Sequence, residues 1–506
     1  MIQEPFYRSL EHWCGIRPDL PVMIDGDQAI TYRELNTRSN QLAQALAIHG
    51  VKADDIIVAR THNCLEWAVI SQAAGKLDAR LLVQNWRLTP DETKHILKDS
   101  GAVAFICDDP DLSAIAPALE STHLKVKVAV NGSAKGFEPF NDLLVEEAPE
   151  RIARRNPPLV VYTSGTTGFP KGVEMRRSLP PLASEHPQPS PEDGASLVNM
   201  PVHHASGPNQ IWNAMAAGRQ VVLVRKFDAE DTLKLIEKHK ITHWSGVPTM
   251  YKRIAALPQS TIRKYDLSSL KAITIGAAPC AWPLKEWILD TFGEILSEGY
   301  GSTETGMVTN MPAKYQRKKP GSSGLPVSGV EIEIRNDDGA ILQPGEVGEL
   351  WVRTPGAIKN YLNAPKLSEK TLDERGFFNV EDKGYLDEDG FLFLTDRSKD
   401  MIISGGVNIY PAEIESALLE HPAILDAAVL GAPNEDFGEE VWAFMELKAE
   451  AKVSKEELFQ HCQEKLASYK IPRKFEFVDE LPRNTMGKIL KRQLRDPLWA
   501  GKDKKI

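Results

Sequence analysis

Cysteine is scarce: five residues in 506 (Cys14, Cys64, Cys107, Cys280 and Cys462), odd in number, widely spaced and without a Cys-x-x-Cys pair. That excludes a disulfide framework and a thiolate zinc site, and it leads us to expect a reducing, cytoplasmic setting. Long apolar runs are missing too. No stretch approaches the ~18 uninterrupted apolar residues of a membrane-spanning helix. The opening Met1-Ile2-Gln3-Glu4-Pro5 has neither the basic nor the apolar region of a signal peptide. Neither export nor a membrane span is expected. Basic excess is also absent: 60 Lys and Arg stand against 70 Asp and Glu, a net charge of −10. This argues against a nucleic-acid partner, and the one basic run, Arg483 to Arg495, is local. No fixed-period repeat is present, and nothing in the sequence speaks to oligomeric state.

What is present is an ordinary globular composition, 42% apolar and 26% charged, at a length that accommodates roughly three domain-sized units. From Ile30 to Cys107 helix and strand signals alternate. Thr89 caps a helix with Pro90 at its first position and Glu92 closing a capping box; Gly101 ends it, and Val103–Ile106 follows as a buried strand. The same punctuation returns at Val221–Val224 (strand), Asp228–His239 (helix capped by Asp228) and Ile241–Trp244 (strand). The fold class is therefore α/β, with layered sheets flanked by helices. Five prolines between Pro180 and Pro191 predict an irregular surface segment. From about Met401 the chain has its own pattern: a strand at Met401–Ile403, a helix from Pro411, strands near Ile424–Leu430 and Val441–Lys448, a helix capped by Ser454 with Glu457, and a strand at Lys474–Val478. That pattern predicts a small separate α/β domain of roughly 110 residues.

The chemistry begins at Tyr162-Thr163-Ser164-Gly165-Thr166-Thr167-Gly168-Phe169-Pro170-Lys171-Gly172. After the short strand Leu159–Tyr162, glycines let backbone N–H groups turn toward an anion. Four hydroxyls (Thr163, Ser164, Thr166, Thr167) and the Lys171 ammonium then meet the oxygens of a polyphosphate. It is not a Walker loop, because Pro170 precedes the lysine and Gly172 follows it. A second signal, Glu298-Gly299-Tyr300-Gly301-Ser302-Thr303-Glu304, combines a glycine turn, an aromatic plate on which adenine can stack, and a carboxylate.

These stretches resemble the adenylate-forming superfamily of acyl-CoA synthetases, aryl-CoA ligases, luciferases and peptide-synthetase adenylation domains. The resemblance runs in order from Tyr162 to Lys488 and covers nearly the whole chain. It implies a large multi-layered N-terminal domain, residues 1–398, that holds ATP and the acyl pocket, and a small mobile C-terminal α/β domain, residues 399–506. It gives the signature loop Thr163 to Gly168 and Lys171 to the phosphates. Gly276, Ala277 and Ala278 become a nucleotide-contacting turn, residues Glu298 to Thr303 the adenine and acyl-phosphate site, and Glu304 a magnesium ligand. Asp382 would bridge the ribose hydroxyls, although Val380-Glu381 replaces the family's Thr-Gly before it. Arg397 would contact ribose and phosphate, and Lys399 would be the hinge. Lys488, in Pro482-Arg483-Asn484-Thr485-Met486-Gly487-Lys488, matches the catalytic lysine that offsets charge as a carboxylate attacks the α-phosphorus. Gly405 and Gly406 would face the pantetheine arm of CoA. His204 falls at the acyl pocket, where amino-acid-activating relatives carry an aspartate; with Trp212 downstream it suggests an acid lacking an α-amine.

The resemblance therefore implies an ATP-, Mg2+- and CoA-dependent acyl-CoA synthetase that forms an acyl-adenylate and then a thioester. Transfer to a carrier protein, light emission with a luciferin, and a non-catalytic nucleotide-binding homologue are the alternatives. The particular acid is not legible.

Overall fold

The computed structural model describes residues 10–108, 112–120, 122–144, 147–153, 157–163, 170–175, 194–278, 280–397, 400–404, 407–434, 437–484 and 487–500, with backbone alone at 396–397 and 407–408. Its contacts gather into two compact units. The first takes the chain up to Ser245 with Tyr265–Lys271 and Ile358–Leu367; the second takes Gly246–Lys264, Ala272–Ala357 and the chain from Ser368 on.

The first unit is built on two mainly parallel sheets. Its strands are β1 (Pro21–Asp25), β2 (Gln28–Thr31), β3 (Ile56–Arg60), β4 (Arg80–Val83), β5 (Ala104–Cys107), β6 (Val126–Ala129), β7 (Glu138–Pro139), β8 (Leu159–Thr163), β9 (Lys171–Met175), β10 (Ala195–Val198), β11 (Gln220–Leu223) and β12 (Ile241–Gly246). One sheet runs β7-β6-β5-β3-β4-β8-β9; the other has the order β12-β10-β11-β1-β2. Strands β3 and β5 are buried along their full length, as expected of parallel strands covered on both faces. The helix Leu65–Lys76 packs on β1, β3 and β4, hence between the sheets. That placement explains why it is apolar almost all round. Its terminal Lys76 is buried and donates to Asn36 Oδ1 (2.6 Å), Asn40 Oδ1 (2.8 Å) and the Arg151 carbonyl (2.9 Å).

Sequence cues for local structure hold closely here. Thr89 caps the helix Pro90–Ser100 in a reciprocal box with Glu92, and Gly101 closes it in the left-handed conformation at φ 66°. Asp228 caps Ala229–Lys238. The expected strands at 103–106 and 221–224 lie one residue off the observed β5 and β11. The proline-rich stretch 180–191 lies outside the described residues.

In the second unit β13 (Ala272–Gly276), β14 (Leu296–Ser302), β15 (Gly306–Met311) and β16 (Leu325–Pro326) are neighbours in that order. Four antiparallel strands follow, β17 (Glu331–Arg335), β18 (Gly348–Arg353), β19 (Phe378–Leu386) and β20 (Leu392–Arg397). The C-terminal sheet comprises β21 (Ile402–Ser404), β22 (Val407–Ile409), β23 (Ile424–Asn434), β24 (Gly438–Leu447) and β25 (Lys474–Val478). Its core includes Ile414, Leu418, Val429, Met445, Leu458 and Phe475, drawn from the strands and from the helices Pro411–Leu419 and Lys455–Lys465. Ser454 and Glu457 form the expected capping box. Among the described residues no helix is long and apolar enough to cross a membrane. The α/β class, with sheets flanked by helices and a small C-terminal α/β element set, is as the sequence led us to expect.

Candidate active site

Within the first unit, the antiparallel pair β8–β9 brings Thr163 opposite Lys171 and Tyr162 opposite Gly172. Residues 164–169, with Ser164, Gly165, Thr166, Thr167 and Gly168, lie outside the described residues. The pair's position is nevertheless well supported. Tyr162 donates its hydroxyl to Asp99 Oδ2 at 2.6 Å, and burial, with Asp99 beside it, pushes that phenol's pKa up. A Cβ at Gly172 would approach Leu362 Cβ and the Tyr162 ring to 3.0 Å, so glycine permits the close packing there. Lys171 Nζ sits 5.1 Å above the Tyr361 ring, an arrangement in which the ammonium is oriented while its charge stays available.

His204 lies in the turn between β10 and the helix Ser206–Ala216. Its N–H donates to the Pro201 carbonyl at 3.1 Å, and burial lowers its pKa, so the ring is neutral at pH 7. Its neighbour His203 is 5% exposed, and burial, with the Arg87 and Arg60 guanidiniums nearby, lowers its pKa to about 3. Trp212 is buried, its indole N–H on Ser71 Oγ at 2.9 Å and its ring 6.1 Å from Trp67. Its helical position turns it into the core.

In the second unit the parallel pair β13–β14 sets Gly276 opposite Gly299. A Cβ on Gly276 would come within 2.8 Å of the Gly299 carbonyl, and one on Gly299 within 2.9 Å of Met307 Sδ, so glycine at both positions permits the close packing of this turn. Ala277, next in line before Ala278, is left-handed at φ 65°. Glu298 points inward: it is buried and ion-paired with Lys285, and burial raises its pKa against that pairing. It buttresses the turn from within. Gly301 packs against the Gly306 carbonyl across the β14–β15 hairpin. At the tip, Ser302 Oγ accepts from the Thr305 N–H at 3.1 Å, which fixes the loop Thr303-Glu304 and leaves Glu304 partly exposed.

The sequence signals separated by 82 residues meet at Tyr300 and Asp382: the phenol donates to Asp382 Oδ2 at 2.5 Å. Asp382 in β19 also faces Arg397 in β20 by strand register. Immediately before it, Glu381 adopts φ 62°, with its N–H on Asn379 Oδ1 at 2.9 Å. The family's glycine at that position would take this conformation freely; a glutamate takes it at a cost.

Lys488 stands on a tight turn. The Asn484 N–H donates to the Lys488 carbonyl, the Lys488 N–H to Asn484 Oδ1, both at 2.9 Å, and Gly487 is left-handed at φ 73°. A Cβ on Gly487 would lie 2.3 Å from Thr249 Oγ1, so the turn rests on the start of the helix Pro248–Ala255. Arg483 anchors it, donating to Asp426 Oδ2 at 2.8 Å and Glu446 Oε2 at 2.9 Å. Lys252 of that same helix also pairs with Asp426. No sequence pattern pointed to Asp426. Lys399, Gly405 and Gly406 lie outside the described residues, as does the side chain of Arg397.

Residues 10–362 match the profile described as AMP-binding enzyme, and residues 413–488 that of the AMP-binding enzyme C-terminal domain. The chain is 34% identical over 485 residues to a 2-succinylbenzoate–CoA ligase of Bacillus subtilis (strain 168), covering 95% of this chain and 96% of that protein. It is 33% identical to a fatty acid–[acyl-carrier-protein] ligase of Streptomyces coeruleorubidus, covering 97% and 95%. Among solved structures, o-succinylbenzoate CoA synthetase from Bacillus subtilis, in complex with its acyl-adenylate intermediate, superposes with a TM-score of 0.80 at 32% identity, over 96% of this chain and 97% of the other.

Proposed function

The chain belongs to the AMP-binding enzymes and is an AMP-forming acid–thiol ligase, and on that premise we propose that it activates an aryl-bearing carboxylic acid without an α-amine and passes the acyl group to CoA. The observation that carries the assignment of the nucleotide site is the Tyr300–Asp382 hydrogen bond. It joins the aromatic plate for adenine to the carboxylate for ribose, so base and sugar are addressed by one rigid pair. Lys171 and the hydroxyls before it meet the phosphates. The Lys488 ammonium offsets the charge that develops as the acid's carboxylate oxygen attacks the α-phosphorus and pyrophosphate leaves. The CoA thiol then attacks the acyl carbon and AMP departs. The neutral His204 imidazole offers no counter-charge for an α-ammonium, which supports an acid lacking one.

Magnesium fits as a passenger of ATP. No group of three potential ligands occurs among the described residues, whereas Glu304 offers a single, partly exposed carboxylate. Such a cation takes its remaining oxygens from phosphates and water, and it would lower the repulsion between ATP and the incoming carboxylate. Division of the chain at 398/399 into a nucleotide-binding part and a mobile catalytic part, with Lys399 as hinge and Gly405 and Gly406 along the pantetheine path, completes the proposal, as does a cytoplasmic location.

The test is pyrophosphate release from ATP with a panel of carboxylic acids, with CoA added and withheld. We expect a single stoichiometric burst without CoA and continuous turnover with it. Absence of release with every acid overturns the reading. The similarity to a carrier-protein ligase favours one alternative, and it is decided in the same assay: turnover restored by holo-carrier protein and not by CoA would reassign the acceptor.

A further inference from the structure

A short segment from far along the chain grips the β8–β9 pair. Ile358–Leu367 lies in sequence between β18 and β19 of the second unit, yet it belongs to the first. It closes on itself. Asn360 and Lys366 face each other in an antiparallel bridge, and the Tyr361 carbonyl accepts from the Asn360 side chain at 2.9 Å and from the Ala364 N–H at 3.1 Å. At its tip Asn363 is left-handed at φ 53°, a conformation that asparagine tolerates better than most residues.

Three consecutive residues of this tip take three separate holds. The Leu362 N–H donates to the Gly172 carbonyl at 2.7 Å, and the Leu362 side chain packs, as Tyr162 does, against the buried cluster that includes Val160. The Asn363 side chain donates to the Asp99 carbonyl, while the Asp99 carboxylate takes the Tyr162 hydroxyl at 2.6 Å. Between these holds Tyr361 places its ring 5.1 Å from Lys171 Nζ. The ring is therefore fixed relative to the backbone that carries the lysine. Immobilising a lysine side chain costs more rotamer freedom than immobilising most others, so a phosphate that meets an ammonium already held is spared part of that cost. A carboxylate would hold the ammonium and cancel its charge; an aromatic face holds it and leaves the charge. At 5.1 Å the hold is looser than that of Trp442 on Lys474, 4.0 Å, so the charge of a phosphate outweighs it.

We propose that Tyr361 is a positioning residue for ATP: its ring, set in place by Leu362 and Asn363, holds the Lys171 ammonium ready for the phosphates. The inference rests on the reading of Lys171 as the phosphate-binding lysine and adds to it the group that orients that lysine. Nothing in the sequence around Lys171 marks Tyr361, because the two meet only when the 358–367 segment folds back onto β9.

The experiment uses the full chain as the parent, Tyr361→Leu, Tyr361→Phe, Lys171→Met and the double variant Tyr361→Leu/Lys171→Met. Binding of ATP with magnesium is measured by titration calorimetry without an acid, and KM for ATP and kcat are measured from pyrophosphate release with one. We expect Tyr361→Leu to weaken ATP binding about 3- to 10-fold. KM for ATP should rise in parallel while kcat at saturating ATP stays within about threefold, the signature of lost uniform binding. Tyr361→Phe keeps the ring and should bind ATP within about twofold of the parent. In the Lys171→Met background Tyr361→Leu should have no further effect, since the ring then has no ammonium to hold. Should Tyr361→Leu fail to fold, Tyr361→Met, which also lacks an aromatic face, takes its place. Parental ATP affinity in Tyr361→Leu overturns the proposal, and so does tighter binding, which would make the ring a competitor of the phosphates. Equal weakening with and without Lys171 also overturns it, by assigning Tyr361 to the packing of the segment alone. Parental ATP affinity in Lys171→Met is a different failure: it removes Lys171 from the phosphates, and the proposal falls with that reading and not by itself.

Discussion

At the scale of single residues, charge and backbone conformation make separable demands. In the proposed mechanism Lys488 acts on the α-phosphate alone, so Lys488→Ala is expected to slow acyl-adenylate formation by about 10²–10³-fold while leaving thioester formation from supplied acyl-AMP within a few-fold; single-turnover assays of each half-reaction separate the two. Glu381 illustrates the backbone demand. A left-handed non-glycine residue costs roughly 1–2 kcal/mol, and a glycine there costs about 0.5–1 kcal/mol in unfolded-chain entropy. The first term wins narrowly. Glu381→Gly should therefore stabilise by about 0.5–1 kcal/mol, read from the urea midpoint, and a lowered midpoint would show that the exposed carboxylate matters more than the conformation. His203 supplies a pH signature. Its pKa falls from 6.5 to about 3 on folding, so the unfolded chain binds the proton more readily. Stability from this residue is fully present above pH 6.5 and is lost progressively as pH falls toward 3. His203→Gln should flatten that part of the stability curve in chemical denaturation at stepped pH.

At the scale of elements, the catalytic turn depends on partners brought from far along the chain. Asp426, 4% exposed and on β23, receives Arg483 from the turn and Lys252 from the helix beneath it. Removing its charge takes from Lys252 its paired carboxylate and leaves Arg483 with Glu446 alone, and breaking such a buried pair typically costs ~3 kcal/mol or more. Asp426→Asn should lower the guanidinium midpoint accordingly and slow adenylation about 10-fold through misplacement of Lys488. A variant that loses stability and keeps its adenylation rate would show that Asn484 and Gly487 hold the turn without help. The same pairs show what the sequence could reveal. The capping boxes at Thr89 and Ser454 were legible because both partners lie three residues apart, whereas Asp426, Lys252 and Arg483 are joined only by folding.

For the whole molecule, the proposed sequence of two half-reactions asks one small domain to present Lys488 in the first and the Gly405-Gly406 segment in the second. A hinge at Lys399 absorbs that change in a few backbone dihedrals, and proline would lock one of them near −65°. Lys399→Pro is expected to keep adenylation within a few-fold and to depress CoA transfer by at least ~10-fold, with an unchanged circular dichroism spectrum. Acyl-CoA formation at the parental rate would remove the hinge from the mechanism.

By itself, the amino-acid sequence determined the α/β class, the helix caps, the strand ending at Tyr162, and the family, because each is written in neighbouring residues or in a contiguous motif. It also carried Tyr300, Asp382 and Lys488 as isolated signals. Only the tertiary structure decided that Tyr300 hydrogen-bonds Asp382, that Glu298 turns inward to Lys285, that Trp212 belongs to the core, and that Asn63 ties the end of β3 to Met200, Val202 and Val224. These depend on which strand ends are neighbours, and parallel sheets take their neighbours from segments tens to hundreds of residues apart, where no local spacing records the meeting.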